Sequence, residues 1–217
     1  LWAFCSEAQM VLTGIFDAQP AASGAKGVEL YVSADIAEAS IYEIGSANNG
    51  SGNIEGEFRF PEIALSAGTF IYLAADSAKF SSFFGFDADH ITGAMNINGN
   101  DAIVLLQGGN LVDVYGEPEV DGEGTIWEHT DGWAYRKSGS SINTRFDPAD
   151  WTFSGVDALR GGATNAEAPI PFPLGAYRPD SRPQLRDDNY FMLINRLKLA
   201  ILVIILEEFF QVEFLPN

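Results

Sequence analysis

The apolar pattern of this chain is broken every few residues. Residues 10–16, 28–32, 40–44, 57–60 and 69–74 are short alternating runs, each bounded by Gly, Asn, Ser or Pro. Successive side chains of an extended backbone point to opposite sides, so alternation marks a strand with one buried face. Residues 102–107 and 111–115 flank Gly108-Gly109-Asn110, a hairpin signal, because glycine takes the positive φ of tight turns without a steric penalty. With 132–136 and 151–153 the count reaches about nine short strands. Such spacing predicts an all-β chain folded as a sandwich or barrel. The 22 glycines among 217 residues agree with that many turns, and a 47% apolar share is enough to fill a core. One short helix is expected over 77–84.

Pattern and composition change towards the C-terminus. Pro169, Pro171, Pro173, Pro179 and Pro183 define an extended segment that closes the β domain. The chain therefore divides into residues 1–9, a domain over 10–178, and a Pro-rich linker with an apolar tail over 179–217. In that tail Leu199-Ala200-Ile201-Leu202-Val203-Ile204-Ile205-Leu206 is apolar all round, between Arg196 and Lys198 on one side and Glu207 and Glu208 on the other. Eight residues fall short of the roughly 20 that cross a bilayer as a helix, so this is not a simple span. The run reads as a segment buried on the domain or on a partner, as a membrane-associated segment, or as a remnant unrelated to the domain. Left exposed, it would aggregate. Residues 1–9 read as the end of a secretory signal, with apolar residues giving way to small ones and cleavage after Ala8, which implies an exported, extracellular or lumenal protein. An ordinary chain terminus is the alternative. Asn49-Gly50-Ser51 has the form of a glycosylation sequon.

Charge narrows the function. The 12 basic and 30 acidic side chains leave a net charge of −18. Eight of the basic and 24 of the acidic ones precede position 179, so the charge belongs to the β domain. Such a surface repels phosphates, which argues against autonomous binding of nucleic acid or an anionic membrane. It attracts divalent cations and basic partners. Cys5 is the only cysteine, which rules out an intrachain disulfide and a thiolate zinc cluster. The two histidines, His90 and His129, rule out a multi-histidine metal centre. There is no Gly-x-Ser-x-Gly elbow and no phosphate-binding glycine loop before a helix.

The best candidate for a ligand site is the loop from Glu117 to Glu128. Set against a twelve-residue calcium loop, Glu117, Glu119 and Asp121 fall at the first, third and fifth positions, Gly122 at the sixth and Glu128 at the twelfth. Ca²⁺ takes several hard oxygens, and alternate residues of a tight loop converge on one point. Glu123 would lend its carbonyl and Glu128 both carboxylate oxygens. The loop departs from the pattern in its long Glu side chains, in Gly124 at the eighth position and in the lack of flanking helices; its other reading is a solvated acidic turn. Asp87, Asp89 and His90 form a weaker candidate set.

Several segments together resemble a known family. Val28-Glu29-Leu30-Tyr31 leads to Ser40-Ile41-Tyr42-Glu43-Ile44-Gly45-Ser46-Ala47-Asn48-Asn49-Gly50. Then come Ile97-Asn98-Gly99-Asn100-Asp101-Ala102-Ile103-Val104-Leu105 and Leu111-Val112-Asp113-Val114-Tyr115-Gly116. With Asp131-Gly132-Trp133-Ala134-Tyr135-Arg136 and Trp151-Thr152-Phe153-Ser154-Gly155, these resemble the lamin-tail domain in the form carried by secreted bacterial proteins and some extracellular nucleases. The resemblance spans about 10–178. It implies an immunoglobulin-like β-sandwich that serves as a non-catalytic accessory or partner-binding module, and it supplies no catalytic residues.

The expectation is thus a secreted or lumenal protein-interaction or assembly module, with Ca²⁺ as its candidate stabiliser, making contact through edge strands or residues 187–217. The alternatives are a metal-dependent nuclease or phosphodiesterase, or an accessory domain of one, and a carbohydrate or mineral binder using acidic loops with Trp127 or Trp133. Locally, Asn98 and Asn100 should bond their own backbone in a turn, and Asp101 should cap N–H groups at the start of a strand. Val104, Leu106, Leu111 and Val114 should face inward, and Trp133 and Trp151 should pack in the core.

Overall fold

The computed structural model describes residues 8–18 and 24–179. The expectations on residues 1–7 and on the tail lie outside the described residues. Ten strands and one helix follow in order: β1 (Met10–Ala18), β2 (Ala25–Val32), β3 (Tyr42–Ala47), β4 (Phe58–Arg59), β5 (Phe70–Ala74), α1 (Ser77–Phe84), β6 (His90–Ile91), β7 (Ala102–Gln107), β8 (Asn110–Tyr115), β9 (Trp133–Arg136) and β10 (Trp151–Phe153). They form a six-stranded sheet in the order β10-β9-β1-β2-β5-β6 and a four-stranded sheet in the order β4-β3-β7-β8. All the strand pairs are antiparallel except β5 with β6.

Every strand expected from alternation is present. The strand missed, β6, is two residues long and has no alternation to read. Helix α1 forms where expected. Asp76 accepts the Lys79 N–H at its start, and Gly85 ends it with φ 82. No helix among the described residues is long and apolar enough to cross a membrane.

The six-stranded sheet is buried on both faces. Its inner face meets the other sheet through Leu12, Ile15, Leu30, Ile71 and Trp151, against Ile44, Ile103 and Leu105. Its outer face packs Phe16, Trp133 and Tyr135 on α1 residues Phe80 and Phe83 and on Leu159, Phe172 and Tyr177 of the C-terminal segment. A bulge at Thr13 makes this double burial work. It inserts one residue between Leu12 and Gly14 in the β1–β2 register, so Leu12 and Ile15, three apart, face the same core. Gly14 sits where a Cβ would run into the Phe172 ring.

One facing expectation is corrected. Val104, Leu106 and Val114 are buried, but with Leu111 and Phe146 they form a separate cluster from the inter-sheet core. Ile103, Leu105 and Tyr115 face the main core instead. Both faces of Ile103-Val104-Leu105-Leu106 are apolar, so alternation had no polar partner from which to read the parity.

The sheets are joined without a disulfide. Arg136 of β9 and Asp113 of β8 are buried together, with Arg136 Nη2 at 2.6 and 2.8 Å from the two carboxylate oxygens. Strand β9 pairs with β1 only from Gly14 to Phe16, which leaves Leu12 free to serve the pair. Its N–H donates to Asp113 at 3.0 Å and its carbonyl accepts from Arg136 Nε at 2.6 Å. Arg136 Nη1 reaches Ser141 O, and the guanidinium lies 4.6 Å from the Trp151 ring centre. The N–H groups of Val114 and Asn143 also donate to Asp113. Every charge is thereby matched to a geometric partner.

Candidate functional site

Segments 48–52, 97–101, 117–132 and 155–160 are tied to one another and to the first residues of β2. The turn at Asn98-Gly99-Asn100 is central. Gly99 has φ 82, and a Cβ there would collide with the Thr130 backbone. Asp101, fully buried, accepts the N–H groups of Asn49 and Asn98, each at 2.8 Å, which is the capping role expected of it. Asn100 does not bond its own backbone as expected. Its amide group bridges outward to Asn49 Oδ1 at 3.1 Å and Asp121 Oδ1 at 2.7 Å. Its backbone carbonyl accepts Gly122 N–H, and Gly52 N–H reaches Pro118 O. These bonds hold the loops as one polar surface.

The five candidate calcium ligands divide within that surface. Asp121 Oδ1 accepts the Asn100 amide and the Glu123 N–H. Glu128 accepts the Gly124 N–H at 2.8 Å and the Thr130 hydroxyl at 3.0 Å. Glu117, Glu119 and Glu123 are exposed. Among the described residues, no three or more His, Cys, Asp or Glu side chains are grouped to hold a metal ion. In the weaker set, Asp89 accepts Tyr72 N–H, while His90 packs against the Phe58 and Phe60 rings and burial pushes its imidazole pKa down.

The tryptophans lie under the loops. Trp127 is 2% exposed and Trp133 7%, the latter donating Nε1–H to Ile170 O. Neither ring is available as a stacking platform, so a carbohydrate reading loses its aromatic surface. His129 is wholly buried. Its Nδ1 lies 3.2 Å from Tyr115 Oη, Tyr115 donates to Trp127 O at 2.5 Å, and Nε2 has no partner among the described residues. Burial lowers its pKa to about 4.

Sequence reading missed a group at the adjoining end of the β1–β2 pair. Asp17 and Lys26 are cross-strand partners, with Nζ 3.7 Å from Asp17 Oδ1. Asp17 is 4% exposed, and burial raises its pKa to about 6 despite Lys26. Asp131 pairs with Arg160 at 3.0 Å, and Arg160 also meets Asp157 at 3.1 Å. An isolated Asp near a strand end reads as a solvated position, so only the fold exposes this grouping.

Asp17 and His129 act on stability in opposite directions as pH falls. The contribution of Asp17 is full below 3.8 and lost as pH rises through 6. That of His129 is full above 6.5 and lost as pH falls through 4. Each shift amounts to about 3 kcal/mol. Asp17→Asn is expected to steepen the loss of stability on acidification from pH 6.5 to 4, relative to the unsubstituted protein, and His129→Gln to reduce it. Urea unfolding at both pH values reads each difference; equal slopes in all three proteins would refute the assignment.

Comparison with protein-family models, with curated proteins and with solved structures found no match.

Proposed function

We propose that this domain is a non-catalytic recognition module of the immunoglobulin-like, lamin-tail type, exported from the cell, which engages a basic protein partner through its joined loops. The observation that carries the reading is the loop surface. Ile126 is 70% exposed, Ile54 52% and Val120 38%, among the exposed carboxylates of Glu117, Glu119, Asp121 and Glu123. Apolar anchors in a charged rim, on loops already ordered by their own hydrogen bonds, lose little entropy on docking. A net charge of −18 selects a basic counterpart and disfavours a second copy of the same face. Of the four edge strands, β4, β6 and β10 are only two or three residues long and offer an added strand few ladder bonds, whereas β8 has six. The two-sheet sandwich and the role of Asp101 in the Asn-Gly-Asn-Asp lead-in support the lamin-tail resemblance.

The test is affinity capture from the native extracellular fraction, together with light scattering of the full chain. The native chain is expected to retain a partner that salt releases. Glu117→Lys/Glu119→Lys/Glu123→Lys should lose it, and the control Glu38→Lys/Glu62→Lys/Asp87→Lys should keep it. Equal capture by both variants would move the contact off these loops, and a defined homo-oligomer would assign it to a second copy. Calcium enters as a stabiliser of the same loop. A rise in melting temperature with Ca²⁺ that is lost in Glu128→Gln supports that role; no rise in the native chain overturns it.

A further inference from the structure

We propose that Lys26 and Asn98 are joined by an intramolecular isopeptide bond, formed by the protein itself with Asp17 as the proton-transfer group. Lys26 Nζ lies 3.4 Å from Asn98 Oδ1, 3.7 Å from Asp17 Oδ1 and 2.6 Å from Ile97 O. Amine, carboxamide and carboxyl therefore meet at one point, drawn from β2, from the turn before β7 and from β1. The lysine side chain is 24% exposed and the Asp17 side chain 6%, so the amine is held against its neighbours and is not free in solvent. The turn is anchored independently of Lys26: Asn98 N–H donates to Asp101, and Thr130 Oγ1 lies 3.5 Å from Asn98 O. Amide carbons resist amines because resonance makes them poor electrophiles and the leaving nitrogen needs a proton; a held amine and an adjacent acid act on both. Nζ held 3.4 Å from Asn98 Oδ1 keeps the amine beside the carboxamide, and the adjacent acid of Asp17 supplies the proton that the leaving nitrogen needs.

The step balances without a co-reactant. The Lys26 ammonium passes a proton to Asp17, and the neutral Nζ attacks Asn98 Cγ. A bond forms between Nζ and Cγ, and the bond from Cγ to Nδ2 breaks. The leaving nitrogen keeps its two hydrogens and takes the second proton from Nζ, relayed by Asp17. Ammonia departs, carrying off the first proton as ammonium, and Asp17 returns to its starting state. Burial that raises the Asp17 pKa to about 6 suits a carboxyl that takes and returns a proton near neutrality. The product would cross-link β2 of the six-stranded sheet to the segment leading into β7 of the other. In a chain whose single cysteine excludes an intrachain disulfide, it would provide a covalent tie between the sheets.

Peptide mapping by mass spectrometry on the full-length chain tests this directly. The expected result is a branched peptide containing Lys26 and Asn98, lighter than the two separate peptides together by one ammonia; the intact chain is likewise lighter than its sequence by one ammonia. Lys26→Arg, Asn98→Ala and Asp17→Asn should each restore the full mass. Full mass in the native chain would overturn the proposal. So would an ammonia loss that persists in Lys26→Arg, because attack by the Gly99 nitrogen on Asn98 gives a succinimide of the same mass change. Loss of one water instead would place the bond between Lys26 and Asp17 and overturn the assignment to Asn98.

Discussion

Arg136→Met is expected to cost about 3–5 kcal/mol, the usual penalty for removing one member of a buried ion pair. The substitution keeps most of the side-chain length, so the loss arises mainly from what remains. Asp113, wholly buried, would keep the N–H donors of Leu12, Val114 and Asn143 but lose both bonds from Nη2. Leu12 O would lose its donor and the Trp151 ring its cation. Three parts of the fold are released together: β9, β8 and the bulged stretch of β1. Urea unfolding followed by tryptophan fluorescence measures the change. Arg136→Met/Asp113→Asn should recover part of the loss, because the neutral amide leaves no buried charge unpaired while its oxygen still accepts from the N–H groups that Asp113 serves. Additive losses in the double variant would refute the assignment of the penalty to the stranded charge.

Glu29→Ala carries the second large effect, expected at about 3 kcal/mol or more from several buried donors left without an acceptor. Glu29 is fully buried on the outer face of β2. It accepts from Thr13 Oγ1 at 2.8 Å, Tyr135 Oη at 2.6 Å, Tyr72 Oη at 3.0 Å and Gly175 N at 2.7 Å. Tyr135 Oη in turn accepts the N–H groups of Ala176 and Tyr177. One carboxyl thus fastens the proline-rich C-terminal segment to the sheet. Hydrogen exchange at Gly175, Ala176 and Tyr177 should rise more than in the inter-sheet strands; uniform acceleration everywhere would mean that the segment is not a separate unit. Burial holds the Glu29 pKa above its ordinary value, and burial also raises those of the Tyr72 and Tyr135 hydroxyls beside it. Its contribution is therefore fullest below the ordinary carboxylate range and fades as pH rises through the raised value.

The loop surface was only partly legible in advance. Asp101 was readable because a capping carboxylate acts on residues next to it in the chain. Asp121 and Glu128 were read by the chemistry of a calcium loop, yet their bonds depend on Asn100, 21 residues from Asp121, and on the particular path of 124–130. Spacing shows which oxygens a loop contains, but the local backbone decides where they point.

The strands other than β6, the position of α1 and the glycine turn at 99 were determined by the sequence alone, since alternation and positive φ operate between near neighbours. Tertiary structure decided which face of β7 meets the main core, and how a charged residue within an apolar run finds a partner. Glu29, Asp113 and Arg136 look in sequence like outward positions on strands. They are buried because Tyr135 arrives 106 residues from Glu29, and Leu12 arrives 124 residues from Arg136. The free energy of burying a charge depends on which groups surround it, and distant strands supply those groups only once the sheets have packed.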